Sequence, residues 1–420
     1  DVFGLGSRNA ALAGAAVAAV DDSAATYYNP AALVRTNDLH IDLGYQVAQP
    51  YLRLNDKATP IDPTHGLAAG LSVPGRLFGV RFAFGVSLFL PDDRLNRSKS
   101  LAYAQPRWVY YDNRTQRLYL AAGLAVQLAR GFYVGASLAF MARTTGTVEL
   151  TGNISASDPE RGSTLVTAVS VDLLSVRYPQ FGVLWEVNRW LSVGASYRHS
   201  FSLQLDQGFH IAGSVSDPGQ KPLIDGGVFE ARTVSADLFQ PWQVTAGAAV
   251  RIVPRLLVSY DVTFARWSEF QAPASWVEVK LDLGPAFNAL VNVPPPRVFP
   301  SPGFHDILIP RLGVEWRAIE RERVALDLRA GYRFEPSPAP EQRGETNFID
   351  ADKHFVVLGA GVRLQRLTAV LPKPFTIDAH VGLTALASRA TRKDDPTDKI
   401  GDYVGSGVVV EGGVASRWAF

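Results

Sequence analysis

The 420-residue chain contains no cysteine. Disulfides, thiol nucleophiles and cysteine-based zinc sites are therefore excluded. It has no run of about 18 apolar residues, so no segment is suited to cross a bilayer as a helix. Charge of one sign is also missing: 41 Lys and Arg stand against 40 Asp and Glu. That balance gives no electrostatic reason to expect nucleic acid. The seven histidines form no His-Glu-x-x-His or His-x-x-x-His pair, and there is no P-loop, no Gly-x-Ser-x-Gly elbow and no Gly-x-Gly-x-x-Gly turn. No catalytic residue, metal or cofactor is expected, and the chain does not read as an enzyme.

What is present is alternation. Leu256, Val258, Tyr260, Val262 and Phe264 make one apolar face, with Ser259, Asp261 and Thr263 on the other. The same period of two runs through 324–334 and 80–90, and further copies begin at Leu39, Leu67, Leu118, Phe132, Leu191, Trp242, Leu308, Val356 and Phe375. A soluble sandwich gives such alternation too. Two features favour a membrane barrel. Small residues, among them Gly123, Gly135, Gly194, Gly247 and Gly361, recur on the face that would turn inward, where a lumen or plug needs space. The connections also alternate in length. Short links fall near 76–79, 130–131, 188–190, 254–255, 318–322 and 367–372. Long polar ones fall near 51–63, 92–115, 151–168, 216–230, 270–305, 336–353 and 389–405. Short turns on one rim and long loops on the other is the layout of an outer-membrane barrel. The count predicts an all-β fold, a transmembrane antiparallel β-barrel of about fourteen strands, in the bacterial outer membrane. Its last strand ends Val414-Ala-Ser-Arg-Trp-Ala-Phe420, on an aromatic, and should pair with the first.

Trp185, Trp190, Trp316 and Trp418 fall near the short turns and predict an inner aromatic girdle. Trp108, Tyr110, Tyr111 and Trp267 predict an outer one. Around Arg177-Tyr-Pro179 the alternation slips, which suggests a bulge or kink. The chain begins at Asp1 and not Met, as expected if a leader has been removed.

The first strand begins near Asp38, leaving residues 1–36 outside the barrel pattern of 37–420. This N-terminal stretch is dense in Ala and Gly, with a short helix expected around Ala10–Val20 that ends at Asp21 and Asp22. Asn29-Pro30 signals a turn, and Pro30 restricts Asn29 to extended backbone. So compact a segment ahead of a barrel reads as a plug in the lumen.

The stretch from Ser7 to Leu33 resembles the N-terminal hatch of the FadL family of outer-membrane transporters for long-chain fatty acids and other hydrophobic compounds. The matching pieces are Gly14-Ala-Ala-Val-Ala18, Asp21-Asp22 and Asn29-Pro30-Ala31. The resemblance implies passive uptake, with capture in an apolar pocket, rearrangement of the hatch and lateral release into the membrane through a wall opening at a kinked strand, for which Gly85 and Pro91 on the third strand are the candidates. It implies that Asp1, Val2 and Phe3 touch the ligand and that Asn29, Pro30 and Ala31 form the hatch turn. It also implies a monomer whose partners are a hydrophobic small molecule and the lipid and lipopolysaccharide around it. The alternation turns Arg311, Glu315, Asp327, Arg329 and Arg333 inward on two adjacent strands, where Arg311, Arg329 or Arg333 would suit a ligand carboxylate. The other reading is that these charges bond one another and the hatch. An alternative function in the same resemblance is a non-transporting barrel that serves as a partner or shuttle subunit in protein export.

Overall fold

The computed structural model describes residues 3–93, 104–112, 118–158, 160, 162–216, 220–271, 276–293, 295, 301–366, 373–393, 398 and 400–420. Among these residues fourteen antiparallel strands form one closed wall. They are β1 (His40–Leu54), β2 (Thr64–Leu77), β3 (Val80–Pro91), β4 (Tyr119–Ala129), β5 (Phe132–Ile154) and β6 (Thr164–Glu186). β7 comes in two pieces, Leu191–Arg198 and Phe201–Val215, as does β8, Ile224–Gln240 and Gln243–Val253. There follow β9 (Leu256–Ala265), β10 (Ile307–Glu320), β11 (Val324–Glu335), β12 (Lys353–Leu364), β13 (Phe375–Thr391) and β14 (Tyr403–Ala419). β14 closes on β1, with His40 opposite Ala419 and Leu54 opposite Gly405. The terminal Phe420 donates its N–H to the Leu39 carbonyl at 2.9 Å, so the last residue is pinned at the seam. This closure leaves neither the first nor the last strand with an open edge toward hydrocarbon.

The wall is inside out compared with a soluble fold. On β9 the inward Ser259, Asp261 and Thr263 are buried while the outward Tyr260 is half-exposed. On β1 the outward Leu43, Tyr45 and Val47 are exposed. An apolar exterior over a polar interior suits lipid outside and a plugged lumen within. Trp185 and Trp316 are exposed beside the short turns, as a girdle requires.

The lumen is filled by the N-terminal segment. Helix α1 (Ser7–Ala11) lies earlier than the sequence suggested, and the Ala-rich residues after it run through tight turns. Helix α2 (Ala25–Tyr28) leads into a 3-10 turn over Pro30–Arg35. Small wall residues make this possible. A Cβ on Gly135 would lie 2.5 Å from the Ala31 nitrogen, and one on Gly331 would lie 2.5 Å from the Ala13 nitrogen. Gly123 and Gly194 likewise face Leu33 and Val17, whereas Gly247 and Gly361 make room for the wall carboxylates Asp261 and Asp378.

Three expectations need correction. β6 keeps one unbroken register with β5 through Pro179, so no bulge forms there; the disturbance lies on the opposite edge of β6, where pairing with β7 stops at Gln180 and Arg198. The third strand is not kinked at Gly85 or Pro91: it pairs with β2 along its full length and with β4 from Phe82 to Phe89 without a register shift. Finally, β5 and β6 run for 23 residues each, against about 9–11 needed to span a bilayer, so segments read as loops are strand extensions above the membrane.

Candidate functional site

Beneath the long loops, the end of the N-terminal segment closes a lumen cavity of about 150 Å³. Phe3, Gly4 and Gly14 form its floor. Tyr110, Tyr111 and Trp267 come from the loops above, and Arg311 and Arg333 from β10 and β11. Phe3, one of the residues the resemblance assigns to ligand contact, lines this cavity. Asp1 and Val2 lie outside the described residues.

The roof is aromatic. Tyr110 and Trp267 lie 5.1 Å apart between ring centroids, Phe270 and Phe304 4.5 Å, and Phe304 and Phe348 5.7 Å. Trp108, Tyr110, Tyr111 and Trp267 are buried in this cluster, so they do not form the outer girdle expected of them. The physical reason is that loop residues carry no alternation to say which way they face. Once long loops fold over a lumen, their aromatics bury more area inward than at the rim. The roof is tied down. Arg107 and Trp108 pair as a short strand with Phe348 and Ile349, and Arg389 donates to the Ser337 hydroxyl at 3.1 Å and the Ala339 carbonyl at 3.0 Å.

The cavity wall is charged in both signs. Arg311 donates to the Thr263 hydroxyl. Arg333 lies 4.8 Å from the Phe355 ring centroid and 3.9 Å from Glu335, and its buried Nε has no hydrogen-bond partner among the described residues. Lys353 sits 4.0 Å over the Tyr110 ring and 2.9 Å from Asp350. Asp261 spends one oxygen on the Val17 N–H at 2.8 Å. Three guanidinium groups, those of Arg198, Arg311 and Arg333, thus border the same space as an aromatic roof, an arrangement that can hold an apolar body and one anionic or polar end.

Arg329 is elsewhere. It is buried in an ion network below the cavity, 2.6 Å from Glu315 and 2.6 Å from Asp378. Glu315 in turn takes Arg8 of the N-terminal segment in two bonds, 2.8 and 3.1 Å. Arg8 also reaches Asp21 at 3.1 Å, and Arg417 of β14 holds Asp21 at 3.2 Å and Asp22 at 2.6 Å. Burial alone would raise the Asp21 pKa, but Arg8, Arg417 and Arg35 hold it well below the usual carboxylate range. The two inward-charge readings therefore divide by height: Glu315 and Arg329 fasten the plug, while Arg311 and Arg333 face the cavity.

The Asn29-Pro30-Ala31 turn is the second fastening. Asn29 is extended, as its following proline requires, and its side chain is fully buried. Its amide donates to the Val17 carbonyl at 2.7 Å and the Val183 carbonyl at 3.0 Å, and its oxygen accepts the Ala31 N–H at 3.1 Å. One side chain thus ties the two halves of the segment to β6. No cluster of metal-binding side chains occurs among the described residues.

Residues 3–397 match a family model described as outer membrane protein transport protein (OMPP1/FadL/TodX). Alkane uptake protein A of Marinobacter nauticus is 25% identical over 377 residues, covering 84% of this chain and 76% of that protein. Among solved structures, a Pseudomonas aeruginosa FadL homologue shares the fold with a TM-score of 0.60 at 15% identity, over 99% of this chain and 98% of that one. The Pseudomonas putida toluene transporter TodX does so with a TM-score of 0.57 at 15% identity, over 100% and 99%.

Proposed function

The chain belongs to the OMPP1/FadL/TodX family of outer-membrane transport proteins, and on that premise we propose that it takes up long-chain fatty acids or other hydrophobic compounds passively across the outer membrane. The supporting observation is the cavity between the aromatic roof and Phe3. Apolar cargo leaves water for it at about 0.8 kcal/mol per buried methylene, so capture needs no energy source. Its volume of about 150 Å³ suits one aromatic ring or a short alkyl stretch. A longer chain enters fully only if the Phe3 end moves, so filling the cavity and shifting the plug are one event. Residues 1–36 act as the hatch, with Asn29, Pro30 and Ala31 as its turn. Asp1, Val2, Phe3, Arg311 and Arg333 contact the ligand, the two arginines taking the carboxylate when there is one. Arg329 serves the ligand indirectly by holding the hatch. Release is lateral, into lipid, because an apolar cargo delivered to water would have to repay its transfer energy.

The test is mass spectrometry of lipids extracted from the purified barrel, together with binding of radiolabelled toluene, radiolabelled hexadecane and a fluorescent fatty acid. Each is compared between the full chain and a version lacking residues 1–3. Bound ligand that weakens at least tenfold on truncation supports the reading. A well-folded barrel that binds none of the three probes overturns it.

A further inference from the structure

The rim of short turns is uneven in charge. Over part of it bases meet acids: Arg255 lies 3.7 Å from Glu320, Arg317 2.9 Å from Asp327, Arg366 3.4 Å from Glu322 and Lys373 2.6 Å from Asp38. Between β3 and β9 the rim is different. It surrounds a hollow of about 890 Å³ under the plug, where six arginines stand against two carboxylates, Asp21 and Glu186. Both acids are already engaged, Asp21 by Arg8 and Arg417, and Glu186 by Arg35 at 3.0 Å. That leaves Arg81, Arg130, Arg189 and Arg251. Among the described residues none of these four has a carboxylate within 4.0 Å.

The four are held out from separate strands and turns. Arg81 comes from the foot of β3 and donates to the Val34 carbonyl at 3.0 Å and the Asn37 side-chain oxygen at 2.7 Å. Arg130 stands in the β4–β5 turn, Arg189 in the β6–β7 turn and Arg251 near the end of β8. Backbone bonds tie these places together: the Glu186 N–H donates to the Gly131 carbonyl and the Arg251 N–H to the Trp190 carbonyl, both at 2.7 Å. Arg189 lies 4.7 Å from the Trp190 ring centroid. Arg130, Arg189 and Arg251 are exposed, so their charge meets whatever enters. A concave wall carrying one sign of charge concentrates the opposite sign from solution. Near this rim the strands from β3 to β9 are each paired with their neighbours, so the hollow opens downward to water and not sideways to lipid.

We propose that this hollow is a docking site for an acidic segment of a soluble periplasmic protein. The inference does not depend on which cargo the barrel carries. Short turns face the periplasm, so a partner reaches them from that side. Four unmatched guanidinium groups on separate strands and turns suit several carboxylates spaced along one extended chain, whereas a single small anion engages only a pair of them. The hollow has the volume of a site that encloses a bound molecule, not of a surface dimple. Its occupant also meets the fastening of the plug, since Arg8 and Arg35 line the same space. Arg35 donates to the Ala18 and Val20 carbonyls at 2.8 and 3.2 Å. An acidic chain seated there offers these guanidinium groups a second acceptor beside the residues that pin the plug.

The test is fluorescence anisotropy of a labelled oligoglutamate peptide with the full chain in non-ionic detergent, beside oligolysine and oligoserine of the same length. Only the glutamate peptide should bind, and its affinity should fall about tenfold between about 50 and 300 mM salt, because the exposed charges are screened. Arg130→Gln with Arg189→Gln and Arg251→Gln should weaken it about tenfold, whereas Arg321→Gln with Arg323→Gln, on the β10–β11 turn, should change it less than about twofold. Equal weakening by both sets would mean that positive charge in general attracts the peptide, and overturns the site. A benzophenone on the peptide reads the position in the unsubstituted barrel: it should label the segments around residues 127–131 and 186–192. Label confined to the long loops, or no binding of the glutamate peptide at low salt, overturns the proposal. So does displacement of the peptide by inorganic phosphate or short-chain phosphatidylglycerol at about 1 mM, which would make the hollow a site for phosphate groups.

Discussion

Arg8 and Glu315 meet side to side, Nε to Oε2 at 2.8 Å and Nη2 to Oε1 at 3.1 Å, which joins the plug to the barrel wall by a paired-fork contact. Both side chains are nearly buried, so removing one partner strands the other's charge. Loss of such a pair costs about 3–5 kcal/mol. Arg329 partly compensates Glu315, which puts Arg8→Ala at the lower end. Hydrogen exchange of residues 7–24 should quicken by about two orders of magnitude while exchange in β9–β12 stays put. Equal protection in the variant would mean that the plug is held by packing alone.

The same anchor sets a pH dependence. With its docked pKa held below the ordinary value, Asp21 contributes to docking above pH of about 4 and loses that contribution only as pH falls through the docked value. Exchange of the N-terminal segment should therefore be insensitive to this group between about pH 5 and 8 and should rise in strong acid. A loosening centred near neutral pH would assign the control to some other group.

Arg333 offers a chemical sorting of ligands. Replacing it by Gln keeps bulk and removes charge. A hydrogen bond to a charged group contributes about 1.5–3 kcal/mol, so Arg333→Gln should weaken a fatty acid by about 10- to 100-fold. Toluene or hexadecane binding should stay within about threefold. Calorimetry or competition binding reads both. Equal weakening of acid and hydrocarbon would make Arg333 a packing element.

How much of this was legible beforehand follows from where alternation exists. Strand count, closure on Phe420 and the inward arginines could be read because each strand carries a period of two that separates its faces. Gly135 and Gly194 could be read for the same reason: a small residue on an inward face signals a close neighbour, and the neighbour is the N-terminal segment. The aromatic roof could not be read, because Trp108 and Trp267 lie where no period assigns a side. The clue available was a high density of rings in loops that have no lipid to face. The place where β6 and β7 part, above Gln180 and Arg198, was half legible. Pro179 drew notice, but which edge of β6 it spoiled depends on a partner more than ten residues away in sequence. The division of Arg329 from Arg311 and Arg333 depends on height along the barrel, which alternation does not encode.

Asn29 gives the sharpest test of the plug. Its carboxamide makes three bonds with no water to replace them, two as donor to the Val17 and Val183 carbonyls and one as acceptor from the Ala31 N–H. Asn29→Ala removes both donor contacts and leaves the Ala31 N–H without its acceptor, at about 1–3 kcal/mol for each group that finds no substitute. Asn29→Asp keeps the shape and the acceptor, yet turns a donor into an oxygen aimed at two carbonyls and buries a charge. If the amide's donor role holds the turn, Asp must be at least as harmful as Ala, whereas a role in shape or in capping the 3-10 turn would let Asp rescue. Protease sensitivity of the segment around residues 25–35 in the folded barrel distinguishes them. The expected order of increasing cleavage is wild type, then Ala, then Asp; Asp falling beside wild type would assign Asn29 to capping.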